Sequence, residues 1–225
     1  MGTRSERMAF VLLEKGKARS AFEKLYKEYP DAKYYLNFEN PVQLLVAAIL
    51  SAQTKDEVVN ATTPRLFDRF RTAKDYASAS IDELVKYTGR VSFAGNKSRN
   101  IIETCNALVE KYDGKVPKTI DELVALPGVG RKTANTILTN AYGIVKGIPV
   151  DTWVIKLTHR IGITDGRDSE GIEEDLMTLL DKKYWHNAAY VFKAHGRRIC
   201  QSKVPICSRC VLKDMCPKND VKKSA

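Results

Sequence analysis

Four of the five cysteines fall within seventeen residues, spaced Cys200-x6-Cys207-x2-Cys210-x5-Cys216. No other feature restricts the fold so strongly, because thiols this dense are either unrelated surface groups or ligands closing on one centre. An odd total and a single tight cluster argue against a disulfide framework and for a metal site. Four thiolates can surround a tetrahedral zinc ion or a cubane of iron and sulfide. Zinc ribbons pair two C-x-x-C knuckles across a longer gap, whereas only Cys207 and Cys210 form such a pair here, which tilts the reading toward iron–sulfur. Cys105, inside the helical pattern "IIETCNALVEKY", reads as a small core residue.

Charge narrows the class of partner. Lys and Arg number 37 against 27 Asp and Glu, a formal net charge of +10, which points to a polyanion: nucleic acid ahead of an anionic membrane surface. Nine of the basic residues lie between Lys193 and Ala225, against two acidic ones, Asp214 and Asp220. They interleave with the cysteines, so Lys203 sits in a loop bounded by Cys200 and Cys207 and is expected to meet phosphate. No apolar run approaches the roughly 18–20 residues that span a bilayer. The segment "MGTRSERMAFVLLEKGKARS" carries no small-residue cleavage site after its apolar patch and reads as a helix rather than a signal peptide. A cytoplasmic, nucleoid-associated monomer without a membrane partner is expected.

Helical spacing dominates the rest. "FEKLYKEY", "EVVNATTPRLFDRF", "SRNIIETCNALVEKY", "KTANTILTNAYG", "VIKLTHRIG" and "IEEDLMTLLD" each place apolar residues at i, i+3 and i+4. Period-two alternation bounded by hairpin turns is missing. Ser80–Glu83 ("SIDE") and Thr119–Glu122 ("TIDE") have the form of capping boxes, and Pro41 suits the first position of a helix. "NFENPVQLLVAAILSAQ" is apolar on nearly every side until Gln53 and reads as a central buried helix. The fold class is all-α, built of many short helices.

In "LPGVGRKTA", Gly128 and Gly130 permit a tight turn with positive φ and close backbone approach. The helix that follows offers N–H groups to an anion. A Gly-x-Gly turn between helices is by itself a common connector. Followed by Arg131-Lys132-Thr133-Ala134, it resembles the helix–hairpin–helix of the endonuclease III family of DNA glycosylases. "NPVQLLVAAILSAQT", the "VDT" at residues 150–152, "HGRRIC" and the cysteine spacing resemble that family in the same order, over roughly residues 17–220.

The resemblance implies a two-domain helix–hairpin–helix glycosylase fold with an iron–sulfur cluster loop. A helical barrel domain spans 37–150; residues 1–36 and 151–225 form a discontinuous domain holding a [4Fe–4S] cluster on Cys200, Cys207, Cys210 and Cys216. The active pocket is expected in the cleft between the domains. The partner is double-stranded DNA carrying a damaged base or abasic site, with the damaged nucleotide flipped out and Gly128, Val129, Gly130 and Arg131 gripping the backbone.

Lys132 matches the position where a lysine marks bifunctional enzymes: its amine attacks C1′, forms a Schiff base and leads to β-elimination of the 3′-phosphate. A lysine near its ordinary pKa of about 10.4 is only ~0.04 % neutral at pH 7. A carboxylate that takes its proton is therefore needed, and Asp151 matches the family's catalytic aspartate. Its position at a helix start also makes it an N-cap. Gln53 either is a partnered core polar group or, like the family's glutamine, fills the gap left by the flipped base.

Two departures stand out. Trp153 replaces a histidine common in the family and can stack on a base. Phe93, within "VSFAGNKS", replaces a leucine wedge and is either a wedge or a core aromatic. Lys97 matches a basic position expected to contact phosphate. The reading is a bifunctional glycosylase/AP lyase for oxidised pyrimidines. The alternatives are a same-scaffold enzyme for mismatched uracil or thymine or for 8-oxoguanine, and a non-catalytic iron–sulfur DNA-binding redox protein.

Overall fold

A computed structural model describes residues 10–225, and every regular element among them is helical. In chain order the α-helices are α1 (Lys15–Glu28), α2 (Pro41–Ser51), α3 (Asp56–Arg69), α4 (Ala73–Ala77), α5 (Ile81–Thr88), α6 (Ala94–Tyr112), α7 (Ile120–Val124), α8 (Arg131–Tyr142), α9 (Thr152–Ile161), α10 (Ser169–Leu179) and α11 (Ala188–Arg198), with short 3-10 turns at Lys182–Tyr184 and Cys207–Arg209. The chain divides into two compact units, one of residues 34–146 and the other combining residues up to 33 with residues 147–225.

The 34–146 unit is organised by α2. Asn40 caps it, accepting from the Gln43 N–H, and Pro41 takes the first helical position, where its missing N–H costs nothing. Gln43 through Leu50 are all buried, and the helix packs against α3, α6 and α8. Leu44, Leu45 and Leu50 have no exposed surface, and each contributes about 1.5–3 kcal/mol by burial. The helix stops at Ser51, so Gln53 lies beyond it, exposed and in left-handed backbone with φ of 52°. At Ser80 and Thr119 the hydroxyl accepts from the N–H of Glu83 and Glu122, as the pattern requires. The complete reciprocal box forms instead at Thr72: its Oγ1 accepts from the Asp75 N–H while Asp75 Oδ2 accepts from the Thr72 N–H.

In the other unit, α11 packs against α1 and α9, and α1 also meets α10. Phe22 of α1 contacts Tyr184 and Phe192, each at a ring separation of 5.4 Å. The helix read over the first twenty residues begins only at Lys15; residues 10–14 are not helical, and residues 1–9 lie outside the described residues. The backbone of 10–14 finds partners elsewhere. Leu13 N–H donates to Gly162 O, and Val11 exchanges two hydrogen bonds with the Asn219 side chain. Among the described residues no helix is long and apolar enough to cross a membrane.

Candidate functional site

The glycine turn is a four-residue turn, Leu126 to Val129, closed by Val129 N–H donating to Leu126 O at 3.2 Å. Pro127 stands second and Gly128 third with φ of 74°, as a type II turn requires. A Cβ at Gly128 would also meet Asn100 Nδ2 at 2.9 Å. Thr104, one turn further along α6, donates from Oγ1 to Pro127 O. The side of α6 carrying Asn100 and Thr104 thus backs the turn. Sequence reasoning missed both residues, although their i, i+4 spacing was a usable signal.

One expectation for this stretch is corrected. Gly130 does not use positive φ; it is the extended N-cap of α8 (φ −96°, ψ 174°), and a Cβ there would meet nothing within 4 Å. The Val129 side chain points inward, part of the hydrophobic core with Leu126 and Ala134, and anchors the turn from beneath. Gly128, Gly130, Arg131 and Lys132 are exposed, and the last two begin the first turn of α8. The N–H groups of such a turn have no intrahelical acceptors and carry the positive end of the helix dipole.

Lys97, expected on a phosphate, is buried. Its ammonium donates to Leu50 O at 2.7 Å, Ala52 O at 2.6 Å and Thr54 Oγ1 at 2.8 Å. Those bonds use all three of its hydrogens, and burial holds its pKa below the ordinary lysine value. It binds the chain at the end of α2, not an external anion. Phe93 is no core aromatic: 63 % of it is exposed, and it starts α6 from left-handed backbone with φ of 58°.

Asp151 is the N-cap of α9. Its Oδ1 accepts from the N–H of Trp153 at 2.8 Å and of Val154 at 3.0 Å. The cap fixes the carboxylate's orientation through one oxygen only. Trp153, expected to stack on a base, is half-buried, and one edge of its ring packs on α11. A Cβ at Gly196 in α11 would fall 2.3 Å from Trp153 Cε3, so the indole occupies the space that the glycine leaves.

The four cysteines line one cavity together with His195 and Arg160. Burial raises the pKa of the Cys200, Cys210 and Cys216 thiols, that of Cys216 to about 11, and negative charge on neighbouring cysteine sulfurs adds to the rise. N–H groups face the sulfurs: Arg160 Nη1 lies 3.5 Å from Cys200 Sγ and Leu212 N lies 3.4 Å from Cys210 Sγ. His195 Nε2 is 3.4 Å from Cys210 Sγ, and its Nδ1 meets Tyr29 Oη at 3.0 Å. Among the described residues, no three His, Cys, Asp or Glu side chains are placed so that they hold a metal ion.

Arg160 was also missed. Its buried guanidinium donates to the carbonyls of Cys200, Gln201 and Ser202, organising the start of the loop that exposes Lys203. Nothing in the sequence separates this arginine from the other basic residues of the chain.

Residues 46–182 match the HhH-GPD superfamily of base excision DNA repair proteins. Endonuclease III of a Synechocystis species is 45 % identical over 196 residues, covering 86 % of this chain and 88 % of the relative. Endonuclease III of Bacillus subtilis is 37 % identical, covering 86 % and 89 %. A trapped covalent intermediate of an endonuclease III with DNA superposes with a TM-score of 0.88 at 38 % identity, covering 92 % of this chain and 98 % of that one. A thermostable thymine-DNA glycosylase shares the fold, with a TM-score of 0.81 at 18 % identity.

Proposed function

The chain belongs to the endonuclease III family of the HhH-GPD superfamily, and from that premise we propose that it removes oxidised pyrimidines from duplex DNA through Lys132 and Asp151. As a base excision repair glycosylase with AP lyase activity, it must break an N-glycosidic bond and then a phosphodiester. The observation that carries the assignment is the placement of Lys132: exposed, in the first turn of α8, directly after a turn that α6 holds rigidly.

The mechanism uses these groups in turn. The Lys132 amine gives up a proton and attacks C1′ as the glycosidic electron pair leaves with the base. Asp151, with Oδ1 fixed by two backbone N–H groups, offers Oδ2 to that proton and its negative charge to the oxocarbenium-like sugar. Ring opening gives an imine between Lys132 and C1′. Loss of a C2′ proton then expels the 3′-phosphate and cleaves the strand.

The remaining roles follow the same reading. Gly128, Gly130 and Arg131 present the turn and the α8 N-terminus to a DNA phosphate, and Lys203 adds a second contact from the cysteine loop. Exposed Gln53 fills the space vacated by the flipped nucleotide, and exposed Phe93 unstacks the neighbouring step. Cys200, Cys207, Cys210 and Cys216 hold a [4Fe–4S] cluster; their shared cavity and surrounding N–H donors fit a thiolate-ligated group. The cluster, when bound, supplies metal–thiolate bonds that fix the loop carrying Lys203. A DNA-bound, nucleoid-associated location is consistent with this set of contacts.

A panel of duplexes tests the substrate. Base release is expected to be fastest from an oxidised pyrimidine and slow from mismatched uracil, mismatched thymine or 8-oxoguanine. Faster release of one of the latter three would reassign the specificity.

A further inference from the structure

Two non-glycine residues proposed to enter DNA, Gln53 and Phe93, both stand in left-handed backbone, with φ of 52° and 58°. L-residues hold that conformation only where their surroundings over-determine it. A single side chain lies at the junction of the two turns. Lys97 follows Phe93 by one helical turn, its N–H donating to Phe93 O at 3.0 Å. Its ammonium reaches across to Ala52 O and Thr54 Oγ1, the groups on either side of Gln53. Thr54 Oγ1 closes the link by accepting from the N–H of Ser92, the neighbour of Phe93, at 3.2 Å.

We propose that Lys97 is a positioning residue for base extrusion: with Thr54 it ties the Gln53 turn to the Phe93 turn, so that the two side chains are presented to the duplex as one rigid pair. The inference rests on the roles given above to Gln53 and Phe93. A simpler role as a helix cap does not account for the whole arrangement. Leu50 O alone would cap α2, yet the ammonium is buried among neutral oxygens, an expensive place for a charge, and two of its three bonds fall on the far side of Ser51. Burial lowers its pKa, in keeping with the cost of keeping it there. The clamp also links the two turns through side chains, so it can set their relative position where the helices alone cannot.

The test is a duplex bearing a tetrahydrofuran abasic analogue opposite 2-aminopurine, whose fluorescence rises when the opposite base is unstacked. Wild-type protein should bind it with a rise in fluorescence. Lys97→Met, which keeps the apolar stem and removes the ammonium, should lose most of that rise while binding undamaged duplex as before. Its base excision should slow by about 10²-fold, the scale of a misplacement of roughly 1 Å. Thr54→Val, which removes the shared oxygen with little change in volume, should show the same loss to a smaller extent and decides the matter should Lys97→Met fail to fold. A full fluorescence rise in either folded variant overturns the clamp alone. A wild-type protein that binds the analogue with no rise overturns the insertion roles of Gln53 and Phe93, and the clamp with them.

Discussion

The indole of Trp153 fills the space above Gly196: a Cβ there would lie 2.3 Å from Cε3 and 2.7 Å from Cζ3. The tryptophan at the second residue of α9 and the glycine in α11 are therefore a matched pair. Gly196→Ala should destabilise the protein by about 1–3 kcal/mol through overpacking. A chain of this size loses roughly 2–4 °C in Tm per kcal/mol. Combined with Trp153→His, the alanine should cost much less, since the clash partner is gone. Thermal unfolding of the four proteins measures the coupling; additive losses would mean that the contact is not what sets glycine at 196.

Two helix C-caps distinguish strain from collision. Gly143 and Gly162 both have positive φ, 66° and 76°, so alanine at either position incurs about 1–2 kcal/mol of left-handed strain. Around Gly143 there is open space, whereas a Cβ at Gly162 would sit 2.4 Å from Val11 O, a backbone atom. Gly162→Ala should lose a further ~1–3 kcal/mol, and the segment 10–14 should become more exposed to protease. Equal unfolding losses for the two variants would contradict the packing of that segment on α9.

Much of this was legible in the sequence because it rests on local rules. Asn40-Pro41 set the start of α2, Pro127-Gly128 set the turn, and the cysteine spacing marked the loop. Other features were hidden because they depend on contacts between distant residues. A lysine beside a turn in a basic chain reads as a surface charge, yet Lys97 is drawn inward by carbonyls 45 and 47 residues away. Val129 sits between two exposed glycines but faces the core. Trp153 and Gly196 make sense only together, and the non-helical path of 10–14 depends on Asn219 and Gly162 from the far end of the chain.

The cysteine assignment predicts a yellow-brown protein with about four irons per chain when prepared anaerobically from iron-replete cells. Cys207→Ala should lower the iron content, the folded yield and the affinity for undamaged duplex, because the loop that exposes Lys203 loses an anchor. A colourless preparation with one zinc per chain would contradict the cluster.

Asp151→Asn separates the cap from the chemistry. Asparagine caps a helix about as well as aspartate, so the thermal stability should change little. Base excision should fall by about 10²–10³, the scale of losing one charge-stabilising group. A variant that unfolds while keeping its activity per folded molecule would leave Asp151 only its structural role.

The identity of the nucleophile is tested most directly by borohydride trapping on an abasic duplex, because an imine at C1′ is reducible and a hydrolytic intermediate is not. Wild-type protein should form the covalent adduct. Lys132→Gln should lose both the adduct and strand cleavage while still binding the abasic site, since the turn and the cysteine loop are untouched. A borohydride adduct of undiminished yield with Lys132→Gln would show that another amine attacks C1′ and contradict the assignment.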